Sequence, residues 1–159
     1  MTHTEKVFMD EVIRACRICY VGLADTDGTP YVIPMNFGYC DGVVYLHSGR
    51  EGRSISILGR NPQVCITFSN DPSLVWQSAE VACSYGIKAR SVIGWGRVRF
   101  EEDFDKKVEA LNCMMHQYVK KQFKYSDPAV NNVLIWTVKL EEISCKEFGA
   151  PHQKPVINK

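Results

Sequence analysis

The chain has 159 residues, of which 45% are hydrophobic and 23% charged, so it can bury a real core and is not a disordered chain. A net charge of +1 excludes a general attraction to nucleic acid or to an anionic bilayer, so any basic site must be local. No apolar run approaches the roughly 20 residues of a membrane span, and residues 1–10 lack the basic and apolar regions of a signal peptide, which makes the cytoplasm the expected location.

Thr4 to Cys16 has helical periodicity. Thr4 is the cap, Glu5 stands in the first turn, and Val7, Phe8, Val12, Ile13 and Cys16 form one apolar stripe. The period then shortens. Ile18 to Ala24 predicts a strand, Asp25 to Pro30 a turn, and Tyr31 to Tyr39 a second strand. Cys40-Asp41-Gly42 predicts a hairpin turn into a third strand, Val43 to His47. Glu51 to Gly59 predicts a short helix that stops before Pro62. Gln63 to Ser69 reads as a strand and Asp71 to Ser73 as a turn. Leu74 to Cys83 and Ser91 to Glu101 read as paired strands around a loop containing Gly86. Asp103 to Gln122 predicts the longest helix, with Phe104, Val108, Leu111, Met115 and Val119 on one face, and Asn131 to Cys145 returns to strand. Residues 1–150 thus read as a single domain and 151–159 as a tail. Strands cluster in runs and do not alternate with long helices. That predicts a mainly β, antiparallel barrel or sandwich with packed helices, not a doubly wound sheet.

The seven cysteines are odd in number and scattered, so they read as small core residues. Cys16-Arg17-Ile18-Cys19 lacks a second pair or a thioredoxin-like helix start, and no His/Cys/Asp/Glu cluster has metal-ligand spacing, so no metal is expected. Trp76, Trp95 and Trp136 read as strand aromatics that fill core. His116 reads as a surface or interface residue, and His3 and His152 lie near the termini.

The stretch Tyr45–Leu58 carries the chemistry. An apolar strand ends in His47, and Ser48, Gly49, Arg50, Gly52, Arg53 and Ser54 follow at the start of a helix. Glycines allow close backbone approach, helix N-terminal N–H groups carry partial positive charge, and Arg forks suit phosphate oxygens. Together they predict a phosphate cradle. No G-K-[ST] follows the glycines, so a cofactor with one phosphate fits better than a nucleoside triphosphate.

Four segments in order resemble the nitroimidazole-resistance family of the FMN-binding split-barrel superfamily, which includes pyridoxamine 5'-phosphate oxidase. They are Asp27–Phe37 (D-G-T-P-Y-V-I-P-M-N-F), Tyr45–Arg53 (Y-L-H-S-G-R-E-G-R), Arg90–Arg97 (R-S-V-I-G-W-G-R) and the helix after Glu101-Glu102-Asp103 with Ala110-Leu111 and Met114-Met115. The resemblance spans Glu11 to Phe148. It implies a six-stranded antiparallel split barrel with about three helices, a homodimer, and FMN at the subunit interface. Val32, Ile33, Pro34, Met35 and Asn36 would run beside the flavin ring. Ser48, Arg53 and Ser54 would hold the phosphate, with Arg90 and Ser91 nearby. His47 would be the catalytic residue beside the flavin. Ser54 stands where the family often has Lys, and the segment Tyr85–Ser91 is longer than the usual link.

The implied activity is reduction of a small electron acceptor such as a nitroaromatic. No G-x-G-x-x-G follows a strand, so NADH or NADPH would bind only transiently, over the flavin. Three alternatives stand beside it: a non-catalytic flavin- or haem-binding protein, a pyridoxamine phosphate oxidase proper, and a deazaflavin-dependent reductase.

Overall fold

A computed structural model describes residues 6–149. Thr4, Glu5, His3, His152 and the 151–159 tail lie outside the described residues. The elements are α1 (Lys6–Ala15), β1 (Cys19–Ala24), β2 (Pro30–Met35), β3 (Gly38–Cys40), β4 (Val43–Ser48), α2 (Arg53–Arg60), β5 (Gln63–Val75), a 3-10 turn (Ala82–Ser84), β6 (Gly86–Glu101), α3 (Phe104–His116), α4 (Asp127–Asn132), β7 (Leu134–Lys139) and β8 (Glu142–Phe148). The strands form one sheet in the order β2-β1-β5-β6-β7-β4-β3, and β8 pairs with β6. No described helix is long and apolar enough to cross a membrane.

The fold class is the expected one, mainly antiparallel β of the split-barrel type with helices. The described residues hold eight strands and four α-helices, where the sequence reads as six or seven strands and three helices and the family resemblance implies six strands. Each difference has a local cause. The second predicted strand breaks at Asn36-Phe37, so β2 and β3 are separate. The last predicted strand breaks at Leu140-Glu141. There the N–H groups leave the ladder for Gly42 O (3.2 Å) and Trp95 O (2.9 Å), giving β7 and β8. Asp71-Pro72 reads locally as a turn, yet β5 runs through it to Val75, because a residue before proline favours extended backbone. The predicted strand from Leu74 to Cys83 is replaced by a loop, in which Trp76 stacks on Tyr85 at 5.8 Å. Helix α4 was hidden in a predicted strand and loop, although Ser126 at the cap and Pro128 in the first turn mark its start.

The chain divides into two compact units. One is built on α1, the second half of β5, the first half of β6 and most of β8. Val12, Ile13, Phe68, Val75, Val92 and Cys145 are buried there. The other holds residues 17–67 and 94–143, and so β1 to β4, α2, α3, α4 and β7. Its core includes Val21, Phe37, Val44, Leu46, Ile57, Ile66, Ile135, Trp136 and Val138.

In the second unit α3 packs on β3 and β4. Its buried residues are Lys107, Ala110, Cys113 and Met114, not the predicted stripe. Phe104 and Val119 of that stripe are exposed, and Val108, Leu111 and Met115 are half-buried. The close contact to β3 sets this rotation. A Cβ on Gly38 would lie 2.5 Å from Met114 N and 2.6 Å from Met114 Cα, so residue 38 must be glycine. A disulfide, Cys40–Cys113, closes the same contact with the Cα atoms 6.4 Å apart. This corrects the reading of all seven cysteines as core fillers. The two partners lie 73 residues apart, and sequence spacing does not show which distant cysteines meet. Cys16, Cys19 and Cys145 form no disulfide among the described residues and are buried as expected, Cys65 is half-buried and Cys83 exposed.

Gly38→Ala should therefore destabilise the protein by roughly 1–3 kcal/mol or more, because the obstructing atoms are helix backbone and cannot rotate away. Urea denaturation measures it, and an unchanged midpoint would show that α3 is free to shift.

Candidate functional site

Strand β4 alternates. Val44 and Leu46 are buried, and Tyr45 and His47 point to the opposite face. Partners in register share a face, so Gly38 sits beside Tyr45 and Cys40 beside Val43, all on the side that α3 covers. Helix α3 covers this face incompletely. His47 and Asn36 line two adjoining hollows. One, of about 360 Å³, is walled by Pro34 and Met35. The other, of about 130 Å³, is walled by Leu111, Met114, Met115, Tyr118 and Tyr125. Among the described residues none hydrogen-bonds the His47 ring. The ring reaches the surface, but the walls around it desolvate it and lower its pKa below the usual 6.5. At neutral pH it is an uncharged imidazole.

The break between β2 and β3 places Asn36 beside His47, and Tyr118 holds the break. Its hydroxyl accepts from the Phe37 N–H at 3.0 Å and donates to Arg17 O at 2.8 Å. Burial pushes the Tyr118 pKa up, which keeps the phenol in its donating form. The sequence did not single out Tyr118, Tyr125, Met114 or Met115 for a site. Of these only Met115 stood in the predicted apolar stripe, and Tyr125 lies beyond the predicted helix. Helix α3 ends at His116, not Gln122, and the N–H groups of Tyr118 and Val119 fold back onto Met115 O.

Beyond His47 the backbone turns into α2. Trp136, fully buried on β7 opposite Leu46, donates its indole N–H to Ser48 Oγ at 3.0 Å. Ser48 donates in turn to Gly49 O at 2.7 Å, so the start of the turn is pinned from within. Gly52 has φ 132°, a left-handed value that suits glycine, and it stands at the N-cap of α2 with no side chain to cap the helix. The first N–H groups of α2 are left facing outward. A Cβ on Gly49 or Gly52 would meet nothing within 4 Å, so the space over the turn is open.

The two arginines of the turn differ. Arg50 grips Glu102 with both ends of its fork, at 3.0 and 2.9 Å, and donates to Asn131 O at 2.9 Å. It is a brace. Arg53 lies 5.0 Å over the Tyr31 ring and makes no ion pair among the described residues. Ser54 is half-buried with no hydrogen bond from its hydroxyl among the described residues. The turn thus presents uncapped N–H donors, a cation and a hydroxyl, with no carboxylate in ion-pair contact with Arg53 among the described residues. That donor set fits a phosphate group.

Of the residues expected at a site, Pro34, Met35, Asn36 and His47 are brought together. Val32 and Ile33 lie further along β2 and do not line the groove; Val32 is 62% exposed. Arg90 and Ser91 belong to the other unit. There Arg90 borders a cavity of about 280 Å³ with Asn70, Ser73 and Lys88. Its guanidinium pairs with Glu147 at 3.6 Å and lies 4.9 Å over the Phe8 ring.

The sequence profile of the pyridoxamine 5'-phosphate oxidase family matches residues 8–147. No curated protein matches the chain. Among solved structures, a Bacteroides thetaiotaomicron VPI-5482 protein provisionally assigned to 5-nitroimidazole antibiotic resistance is 43% identical. The match covers 91% of this chain and 85% of that one, with a TM-score of 0.83. The flavocytochrome Anf3 of Azotobacter vinelandii is 22% identical over 99% of this chain and 72% of its own, with a TM-score of 0.78. An FAD and haem binding protein of Mycobacterium smegmatis is 14% identical over 99% of this chain and 76% of its own, at 0.80. At those identities the last two show likeness of fold. With nearly the whole chain matched, and with the groove and the turn after β4 in the segments that carry the match, this protein belongs to the pyridoxamine 5'-phosphate oxidase family.

Proposed function

We propose that the chain binds FMN as a homodimer and reduces small electrophiles such as nitroaromatics, with NADH or NADPH as the transient electron donor. One observation carries the reading. A single strand and the turn after it present a neutral, groove-facing His47 and, six residues on, a helix start offering only donors. The first suits a proton-transfer group and the second a phosphate. Family membership and the resistance assignment of the 43% identical Bacteroides protein support a nitroaromatic acceptor. The same fold serves a flavocytochrome and an FAD and haem binding protein.

FMN would supply the redox chemistry when bound. Arg53, Ser54 and the α2 N–H groups would hold its phosphate. Pro34 to Asn36 would flank its ring, and β2 would offer backbone groups to the ring's polar edge. The apolar wall of Leu111, Met114 and Met115 would exclude water from the side where the acceptor enters. His47, once it has taken up a second proton from solvent, would give that proton to the reduced acceptor from a ring nitrogen and return to the neutral imidazole.

Arg53→Ala should weaken FMN binding roughly 10- to 150-fold, the worth of a charge-assisted bond to phosphate. Arg50→Ala should weaken it less, since Arg50 already holds Glu102 and Asn131 O. Flavin fluorescence titration compares them, and equal losses would mean that the cradle is wrongly assigned.

His47→Ala should keep most FMN affinity and lose about 10²–10⁴-fold in rate per bound flavin. An unchanged rate per flavin sinks the proton-transfer role. In the native protein the rate should rise as pH falls below 6.5, because the lowered pKa delays protonation of the ring. Protonation favours the unfolded chain, whose imidazole has the higher pKa, so stability should decline over the same window.

Edge strand β2 contains no buried residue. In register with it, Tyr20 is 51% exposed beside Pro34, and Val32 is 62% exposed on the same face. A second copy would cover this apolar edge, with an interface of more than about 1,000 Å². Light scattering of the flavin-loaded protein should give a dimer; a monomer holding one FMN would rule it out.

A further inference from the structure

Lys107 is 2% exposed and is the one buried charged side chain among the described residues. It occupies the buried face of α3 with Ala110, Cys113 and Met114, where an apolar residue is the ordinary choice. Burying an ammonium is costly unless its donors and its charge are answered. Here they are poorly answered. Of its three N–H donors, one reaches Asn131 O at 3.4 Å, a long bond, and the others meet no acceptor among the described residues.

Two neighbours give this charge a direction. The Asn131 carbonyl that Lys107 holds is the one on which Arg50 of the turn also rests, at 2.9 Å. One carboxylate that feels Lys107 is Glu102, and both its oxygens are already taken by the Arg50 fork. Glu102 is held below the usual carboxylate range first by the Arg50 hydrogen bond, with the Lys107 charge a lesser cause. Arg50, Lys107 and Glu102 together therefore leave one positive charge unbalanced behind the turn. Arg53 adds a second in front of it, which the exposed Glu51 of the same turn offsets, so the cluster keeps a net charge of one positive.

We propose that Lys107 is a positioning residue for the anion in the 48–53 turn. It fixes the carbonyl that braces Arg50, and it leaves the turn with a net positive charge that selects a phosphate monoester dianion over the same molecule without its phosphate. The inference rests on the FMN reading above and adds the residue that sets the preference for the phosphorylated flavin.

The test measures the affinity of the flavin-free protein for FMN and for riboflavin in the native chain, Lys107→Met and Glu102→Gln. Met keeps the apolar stem of the buried lysine and removes the charge. Lys107→Met should lower the preference for FMN over riboflavin about tenfold and change riboflavin binding by less than about twofold, the scale of one partly screened charge. Glu102→Gln should raise the preference, because it removes the carboxylate that Arg50 grips. It also carries the test if Lys107→Met does not fold. A native protein that binds FMN no tighter than riboflavin overturns both the FMN reading and this inference. A native preference that survives in Lys107→Met, parallel loss of both flavins, or no rise in Glu102→Gln overturns this inference alone.

Discussion

Helix α3 can lie against β3 because residue 38 has no Cβ. The contact is between backbones, with a Cβ position 2.5 Å from the Met114 nitrogen, so no side-chain rearrangement could replace it. The rest of the site follows from it. Pressed this close, α3 turns Ala110, Cys113 and Met114 inward and leaves Leu111 and Met115 at the rim. The alternation of β4 then decides which side chains face that rim. Val44 and Leu46 are committed to the core, so Tyr45 and His47 must face the helix. The hollow beside His47 is what remains of an interface that one helix cannot fill.

The turn after β4 is organised by the same economy of partners. Trp136 fixes Ser48 and Ser48 fixes Gly49, so the backbone direction is set before the first helical residue. Arg50 is turned back to Glu102 and Asn131, which stiffens the loop but removes that arginine from the open side. Arg53 stays on the open side, over Tyr31. An exposed bidentate pair contributes little to stability by itself. Its effect here is geometric, in separating a bracing cation from a presented one. Lys107 extends this arrangement into the interior, where a charge is less screened than at the surface.

Local signals fixed much of this in advance. Apolar runs identified β1 and β4 to within a residue, and β7 within the longer run Asn131–Cys145. The helix predicted from Glu51 forms as α2, starting at Arg53 behind Gly52, and Asp103 at the head of α3 accepts from Lys106 N at 3.0 Å as an acidic cap should. The mainly antiparallel class followed from the clustering of strands. These features depend on neighbours within a few residues, so the sequence by itself determined them.

What the tertiary structure decided concerns residues far apart in the chain. The rotation of α3 could not be read from its apolar stripe, because a backbone contact at Gly38 overrides side-chain hydrophobicity and turns a lysine inward. The Cys40–Cys113 bond, the Tyr118 link to Phe37 and Arg17, and the meeting of Arg50 with Lys107 at Asn131 O join segments separated by 73, 81, 101, 81 and 24 residues. No local pattern encodes such pairs. They arise when the sheet order places β3 and β4 under one helix, and the difference between Arg50 as brace and Arg53 as donor exists only there.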